Sequence, residues 1–225
     1  MKTIYSPLHA GHGGTMELVA GALVPGFEKP SRAEYIRQRV EDVKLGPILG
    51  PEAHDLAAAK RIHRADYIDF LPTVYPAWEA SGRSGSALPF TWPTRGLRGD
   101  VVPETIEAKL GYYSFDAGAP FVKGTWEAIK SSHEVAMTAA RLVKDGEPAA
   151  FALCRPPGHH AGDAFMGGYC YIKIGPASLD LLCKFICTYE VCTCSLCFFG
   201  LFAFGENQNP NFFTSSVRQN HCTAD

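Results

Sequence analysis

The segment best equipped for chemistry is Arg155-Pro156-Pro157-Gly158-His159-His160-Ala161-Gly162. Its two prolines fix φ and stop the segment from continuing as a strand. Glycines on either side of the histidines permit sharp turns and close approach of a ligand. The pair therefore stands on a stiffened loop, not on a strand that would send the two rings to opposite faces. Adjacent imidazoles repel when both are protonated, so their titrations couple and separate. That suits one neutral histidine acting as general base and one charged or hydrogen-bonding histidine stabilising developing charge. The competing reading of the dipeptide alone is an exposed turn with no role. Location decides between them.

The elements around the loop favour chemistry. Ala149-Ala150-Phe151-Ala152-Leu153-Cys154 is an apolar run without alternation, which predicts a central parallel strand covered on both faces. Before it, apolar and small residues at 126, 129, 133, 136, 140 and 143 predict a helix over 125–144 with one buried face, ended by Asp145-Gly146. Lys2-Thr3-Ile4-Tyr5 reads as a strand. Ser31 with Glu34 has the spacing of a capping box for a helix to about Lys44. Residues 52–61 and 64–71 read as short helices. The Pro/Gly/Ser-rich stretch 71–103 reads as a long ordered excursion in which Trp78 and Trp92 need packing partners. Strand, long helix, strand predicts an α/β sheet, and ligand sites in such sheets gather beyond the carboxyl ends of the strands. The histidine pair lies at such an end.

Cys154-Arg155-Pro156-Pro157-Gly158-His159-His160-Ala161, followed by Phe165-Met166-Gly167-Gly168-Tyr169-Cys170-Tyr171-Ile172, resembles the histone deacetylase superfamily, and within it the acetylpolyamine amidohydrolase branch. Ile62 to Ile68, Glu17-Leu18, Gly111-Tyr112-Tyr113 and Gly124 to Ala128 agree with it. The resemblance covers about residues 1–172. It implies the arginase–deacetylase α/β fold, a parallel sheet with helices on both faces, incomplete in this chain. It further implies zinc-dependent hydrolysis of acetyl-lysine or acetylated polyamines. By resemblance His160 is the general base that later protonates the leaving amine, and His159 is its electrostatic partner. Gly168 and Tyr169 line the channel that grips the acyl-bearing side chain. Gly118 stands where some polyamine-selective relatives place an acidic residue, with Asp116 near enough to substitute.

The family's zinc ligands follow this point, in an Asp-x-Asp-x-His segment and a later Asp. After Ile172 this chain reads Lys173-Ile174-Gly175-Pro176, and no later segment resembles the family. No metal ligand is therefore assigned, and zinc is not expected at the family site of this chain. The remaining histidines are read as structural: His133 on the buried helix face, His54 and His63 as helix-end or hydrogen-bonding residues. His9 and His12 are open to a substrate-rim role.

Composition changes where the resemblance stops. Six of the eight cysteines lie after Ile172, and no asparagine precedes Asn207. Residues 173–225 are read as an unrelated Cys/Phe-rich tail, arising from a frameshift, a retained intron or a gene-model error. The same tail leaves open a weak membrane segment at 185–204, with Glu190 and polar neighbours against it. A metal cluster on Cys192, Cys194 and Cys197 lacks a matching second half. Without a strand to follow it, Phe151–Cys154 is expected to be an open apolar edge that invites aggregation. Formal charge is −2 over 225 residues, which leaves no electrostatic footprint for nucleic acid. The first ten residues lack the pattern of a secretory signal, so the expected location is cytoplasmic or nuclear. A homo-oligomer stays open. Two functional classes follow: a zinc-dependent deacetylase of acetylated amines, inactive as this truncated chain, or a non-catalytic fragment that only binds or dimerises.

Overall fold

The computed structural model describes residues 1–94, 96 and 98–175, together with the strand backbone at 191–193 and 200–204. In chain order the strands and helices are β1 (Lys2–Ile4), β2 (Met16–Val19), β3 (Ala22–Pro25), α1 (Pro30–Asp42), β4 (Ile48–Leu49), α2 (Ala57–Ile62), α3 (Ala65–Phe70), α4 (Val74–Ala80), α5 (Ile106–Tyr112), α6 (Thr125–Lys144) and β5 (Ala149–Leu153). Beyond them lie β6 (Val191–Thr193) and β7 (Gly200–Phe204), and a 3₁₀ turn, Pro7–Gly11, follows β1.

The apolar run of β5 has a direct structural reason. Ala150, Ala152 and Cys154 pack with Val135, Ala136, Ala139, Ala140 and Val143 of α6. Phe151 and Leu153 turn to the other face, against Val40 and Ile36 of α1. A strand covered by helices on both faces has no polar side, and each fully buried large side chain there contributes about 1.5–3 kcal/mol. β1 lies parallel between β4 and β5, pairing Thr3 with both Ile48 and Phe151. The expected parallel α/β sheet is present in this part.

On the far side of β5 the structure differs from expectation. β7 pairs antiparallel with β5 over Ala149–Leu153, and β6 pairs antiparallel with β7. The β5 edge is therefore covered by the tail rather than open. Most of the proposed membrane segment 185–204 lies outside the described residues, and its described parts are β6 and β7. Among the described residues no helix is long and apolar enough to cross a membrane.

Other departures are local. Ser31 does not cap α1: Pro30 occupies the first helical position and Lys29 the cap, with no side-chain cap bond. A proline lacks only an N–H that would be unpaired there anyway, so it starts the helix two residues earlier than a Ser31 cap would. Glu34 of the expected capping box instead receives the Tyr5 hydroxyl at 2.5 Å and Arg37 Nε at 2.8 Å. The 71–103 excursion contains α4, which places Trp78 in the main core, while Trp92 Nε1 donates to Ser114 Oγ at 3.0 Å. α6 is buried more widely than one stripe, because it packs on β5 and also on the turn after β1.

Candidate active site

Just past β5, Arg155 fixes where the loop goes. It is 1% exposed, and a guanidinium that deep must satisfy its donors internally. Nε donates to Glu28 Oε1 at 2.8 Å, Nη1 to the His9 carbonyl at 2.5 Å and Nη2 to the His12 carbonyl at 2.6 Å. A further ion pair joins Nη2 to Glu28 Oε2 at 2.8 Å. One side chain thus ties the start of the loop to the turn after β1 and to the segment before α1.

This arrangement removes His9 and His12 from the substrate rim, correcting the open role given to them. Both are buried. His9 Nε2 sits 2.9 Å from Glu34 Oε1, and His12 Nδ1 lies 2.9 Å from Thr125 Oγ1. Burial, followed by the charge of Arg155, holds the His12 pKa down to about 3, so the ring is neutral. The carboxylates beside these histidines come from distant positions, which local spacing could not reveal.

The rest of the loop is clamped by its surroundings. Ser132 Oγ of α6 donates to the Pro156 carbonyl at 2.8 Å. A Cβ at Gly158 would stand 2.2 Å from the Ile172 carbonyl oxygen, so only glycine lets the two segments meet. His63, at the end of α2, accepts from Lys173 N at 2.8 Å through Nε2 and faces the Asp163 carbonyl at 3.2 Å through Nδ1. An Nε2 acceptor beside an Nδ1 donor is a neutral ring, in keeping with the downward shift that burial imposes. His133 bonds the Asp55 carbonyl at 3.1 Å from inside the core, and His54 bonds Thr138 Oγ1 at 3.1 Å. Both are structural, as expected.

His159 and His160 emerge from this frame to the surface, with ring centroids 4.1 Å apart and planes at 49°. His159 is held below the ordinary histidine range, first by partial burial and then by the neighbouring His160 ring. A Cβ at Gly168 would lie 2.9 Å from His160 Cδ2, so Gly168 backs directly on that ring. Gly168 and Tyr169 both have left-handed backbone, φ 50° and 67°. Tyr169 donates its hydroxyl to Glu17 Oε2 at 3.0 Å. Burial and then the Glu17 hydrogen bond push that phenol up to about 12, so it stays protonated. His159, His160 and Gly168 therefore meet at the end of the central strand, and Tyr169 follows directly in the chain. An imidazole beside a second one can take up a proton.

The supports of this surface come from residues distant in sequence. Asp116, near enough to Gly118 to stand in for a substrate-attracting acid, has another task. Its carboxylate instead accepts from Gly118 N at 2.8 Å and from Gly168 N at 3.1 and 3.2 Å. Glu17 pins Tyr169, and only its place in a family-like pair hinted at a role. The thiols of Cys154 and Cys170 are buried and pushed up to about 12 and 11, chiefly by desolvation, which makes both poor nucleophiles.

A zinc ion needs three or four converging nitrogen, oxygen or sulfur donors. Among the described residues no group of three or more His, Cys, Asp or Glu side chains is placed to hold a metal ion. The carboxylate that touches Gly168 is already engaged by two amides. The donors in this part of the chain do not fit the metal that the family resemblance implies.

Residues 26–174 match the family described as the histone deacetylase domain. Acetylpolyamine amidohydrolase 2 of Pseudomonas aeruginosa is 47% identical over 173 residues, covering 77% of this chain and 50% of the relative. Acetylpolyamine amidohydrolase of Mycoplana ramosa is 41% identical over 173 residues, with the same coverage. The crystal structure of acetylpolyamine aminohydrolase from Burkholderia pseudomallei superposes with a TM-score of 0.75 at 28% identity, over 82% of this chain and 53% of that one. The HDA15 HD domain shares the fold, with a TM-score of 0.56 at 15% identity, over 81% of this chain and 43% of that one. The chain spans about half the length of the curated relatives it matches.

Proposed function

The chain belongs to the histone deacetylase domain family, and from that premise we propose that it carries the proton-handling and substrate-lining half of a site that hydrolyses acetylated amines, acetylated polyamines foremost. One observation carries the reading: His159 and His160 lie with ring centroids 4.1 Å apart, tilted by 49°, on a clamped loop at the end of the central strand, with Gly168 against the second ring. His160 would accept a proton from the attacking water and return it to the leaving amine. His159 would stabilise the charge that develops beside it. Tyr169 would flank the methylene chain of the amine. The names of the two curated relatives favour polyamines over acetyl-lysine as the substrate class.

The family's zinc, when bound, polarises the amide carbonyl and activates water. The described residues do not bring its donors together, so no step here runs through a metal. A positioned histidine base contributes about 10²–10⁴-fold, too little for an unactivated amide. The chain by itself is therefore expected to act as a non-catalytic half of such a site. The test is a deacetylation assay on N-acetylputrescine and on an acetyl-lysine peptide, with and without added zinc. The expected result is no turnover above background in any arm. Turnover abolished by His160→Ala would contradict this reading and show that the chain completes a working site. Turnover that survives the substitution comes from a contaminant and leaves the expected result standing.

A further inference from the structure

We propose that Asp116 is a positioning residue for the histidine pair, acting through the turn at Gly167–Cys170; the inference deepens the functional reading above and rests on it. Four contacts define the device. The Asp116 carboxylate receives the Gly168 amide at 3.1 and 3.2 Å and the Gly118 amide at 2.8 Å. The Gly118 carbonyl receives the Tyr169 amide at 2.8 Å. The turn closes on itself through reciprocal bonds between Gly167 and Cys170, at 3.1 and 2.9 Å. A carboxylate accepting backbone N–H groups makes bonds roughly twice as strong as neutral ones.

The turn needs such a hold. Tyr169 is a non-glycine residue at φ 67°, and Gly168 before it is also left-handed. A bulky residue in that region carries a conformational cost that its surroundings must offset. Asp116 and the Gly118 carbonyl supply the offsetting bonds on successive amides. Because Gly168 backs on the His160 ring, the same bonds set how far that ring can move toward the turn.

The device also explains the residue at 118. A Cβ there would lie 3.1 Å from both Asp116 Oδ1 and Gly168 N, inside the carboxylate–amide link. Glycine at 118 thus suits aspartate at 116, and a side chain at 118 would crowd the link.

The test reads the histidine rings and amides of the full 225-residue chain by ¹⁵N–¹H spectroscopy, so it does not depend on turnover. In Asp116→Ala the Gly168 amide proton is expected to lose its downfield shift, and the His160 ring nitrogens to shift while those of His54 stay in place. Asp116→Asn keeps one carbonyl acceptor and is expected to restore part of both signals. Gly118→Ala leaves the carboxylate intact but crowds the link, and is expected to move the same two signals, which covers the case in which Asp116→Ala fails to fold. Unchanged Gly168 and His160 signals in either Asp116→Ala or Gly118→Ala would overturn the proposal. So would a His160 shift that Asp116→Asn does not reduce at all. Deacetylation by this chain would contradict the half-site reading and leave these outcomes as they are.

Discussion

At the scale of single residues, buried polar groups organise this molecule, and they carry its pH dependence. Burial holds His12 from an ordinary 6.5 down to about 3, and lowers His63 and His133 in the same direction. A histidine whose folded pKa is depressed stays neutral in the native state while the unfolded chain takes up a proton. Stability is therefore fully present above pH 6.5 and falls as pH drops toward the folded value, by roughly 1.4 kcal/mol per pH unit for each such ring. Urea midpoints measured from pH 7 to pH 5 are expected to fall steadily, and His12→Gln to flatten the slope. A pH-independent midpoint would show that the rings are solvated. Arg155 is the second case. Arg155→Lys removes the fork that reaches Glu28, His9 and His12 together, and leaves Glu28 buried with a poorer partner. A loss of about 3–5 kcal/mol in urea unfolding is expected, as for other broken buried pairs. A loss below 1 kcal/mol would show that the anchor is dispensable.

At the scale of elements, the site depends on how α6 begins. Thr125 Oγ1 receives Val122 N at 2.8 Å and bonds His12 Nδ1 at 2.9 Å, so the first residue of the helix joins two segments. Thr125→Val keeps the shape and leaves the buried His12 nitrogen and the half-buried Val122 amide without this partner, at about 1–3 kcal/mol for the buried group. A drop of that size in thermal or urea unfolding, with α6 still helical by circular dichroism, is the expected result. An unchanged midpoint would place water at those groups.

What could be read in advance divides along the same line. α6 and β5 were legible because each has a strong period or an unbroken apolar run. The β2–β3 hairpin was not, since Met16–Pro25 leaves Leu18, Val19 and Leu23 exposed and shows no alternation that signals a buried face. α5 was hidden in a polar stretch, although Thr105 caps it through Ala108 N at 3.4 Å. The histidine pair, Gly168 and Tyr169 were legible as one motif. Asp116, Glu17 and Glu28 were not, because their partners lie 52, 152 and 127 residues away.

At the scale of the whole molecule, the chain spans about half the length of its curated relatives and presents β5 to a strand from its own tail. The antiparallel β7 satisfies the ladder that β5 would otherwise expose, and an uncovered apolar edge is an aggregation site. A variant lacking residues 176–225 is expected to form higher-mass species in light scattering where the full chain does not. A monomeric, cooperatively unfolding variant would show that β5 needs no cover.

If residues 1–174 hold the proton-handling half of a deacetylase site without its metal-holding half, they retain no zinc of their own. Purified chain is loaded with zinc, dialysed and analysed by elemental mass spectrometry, beside a variant with Cys183, Cys187, Cys192, Cys194, Cys197 and Cys222 all changed to serine. Well under one zinc per chain is expected in the serine variant, with no further change on His159→Ala or His160→Ala. One zinc per chain retained in the serine variant, and lost on replacing a residue within 1–174, would contradict the half-site reading.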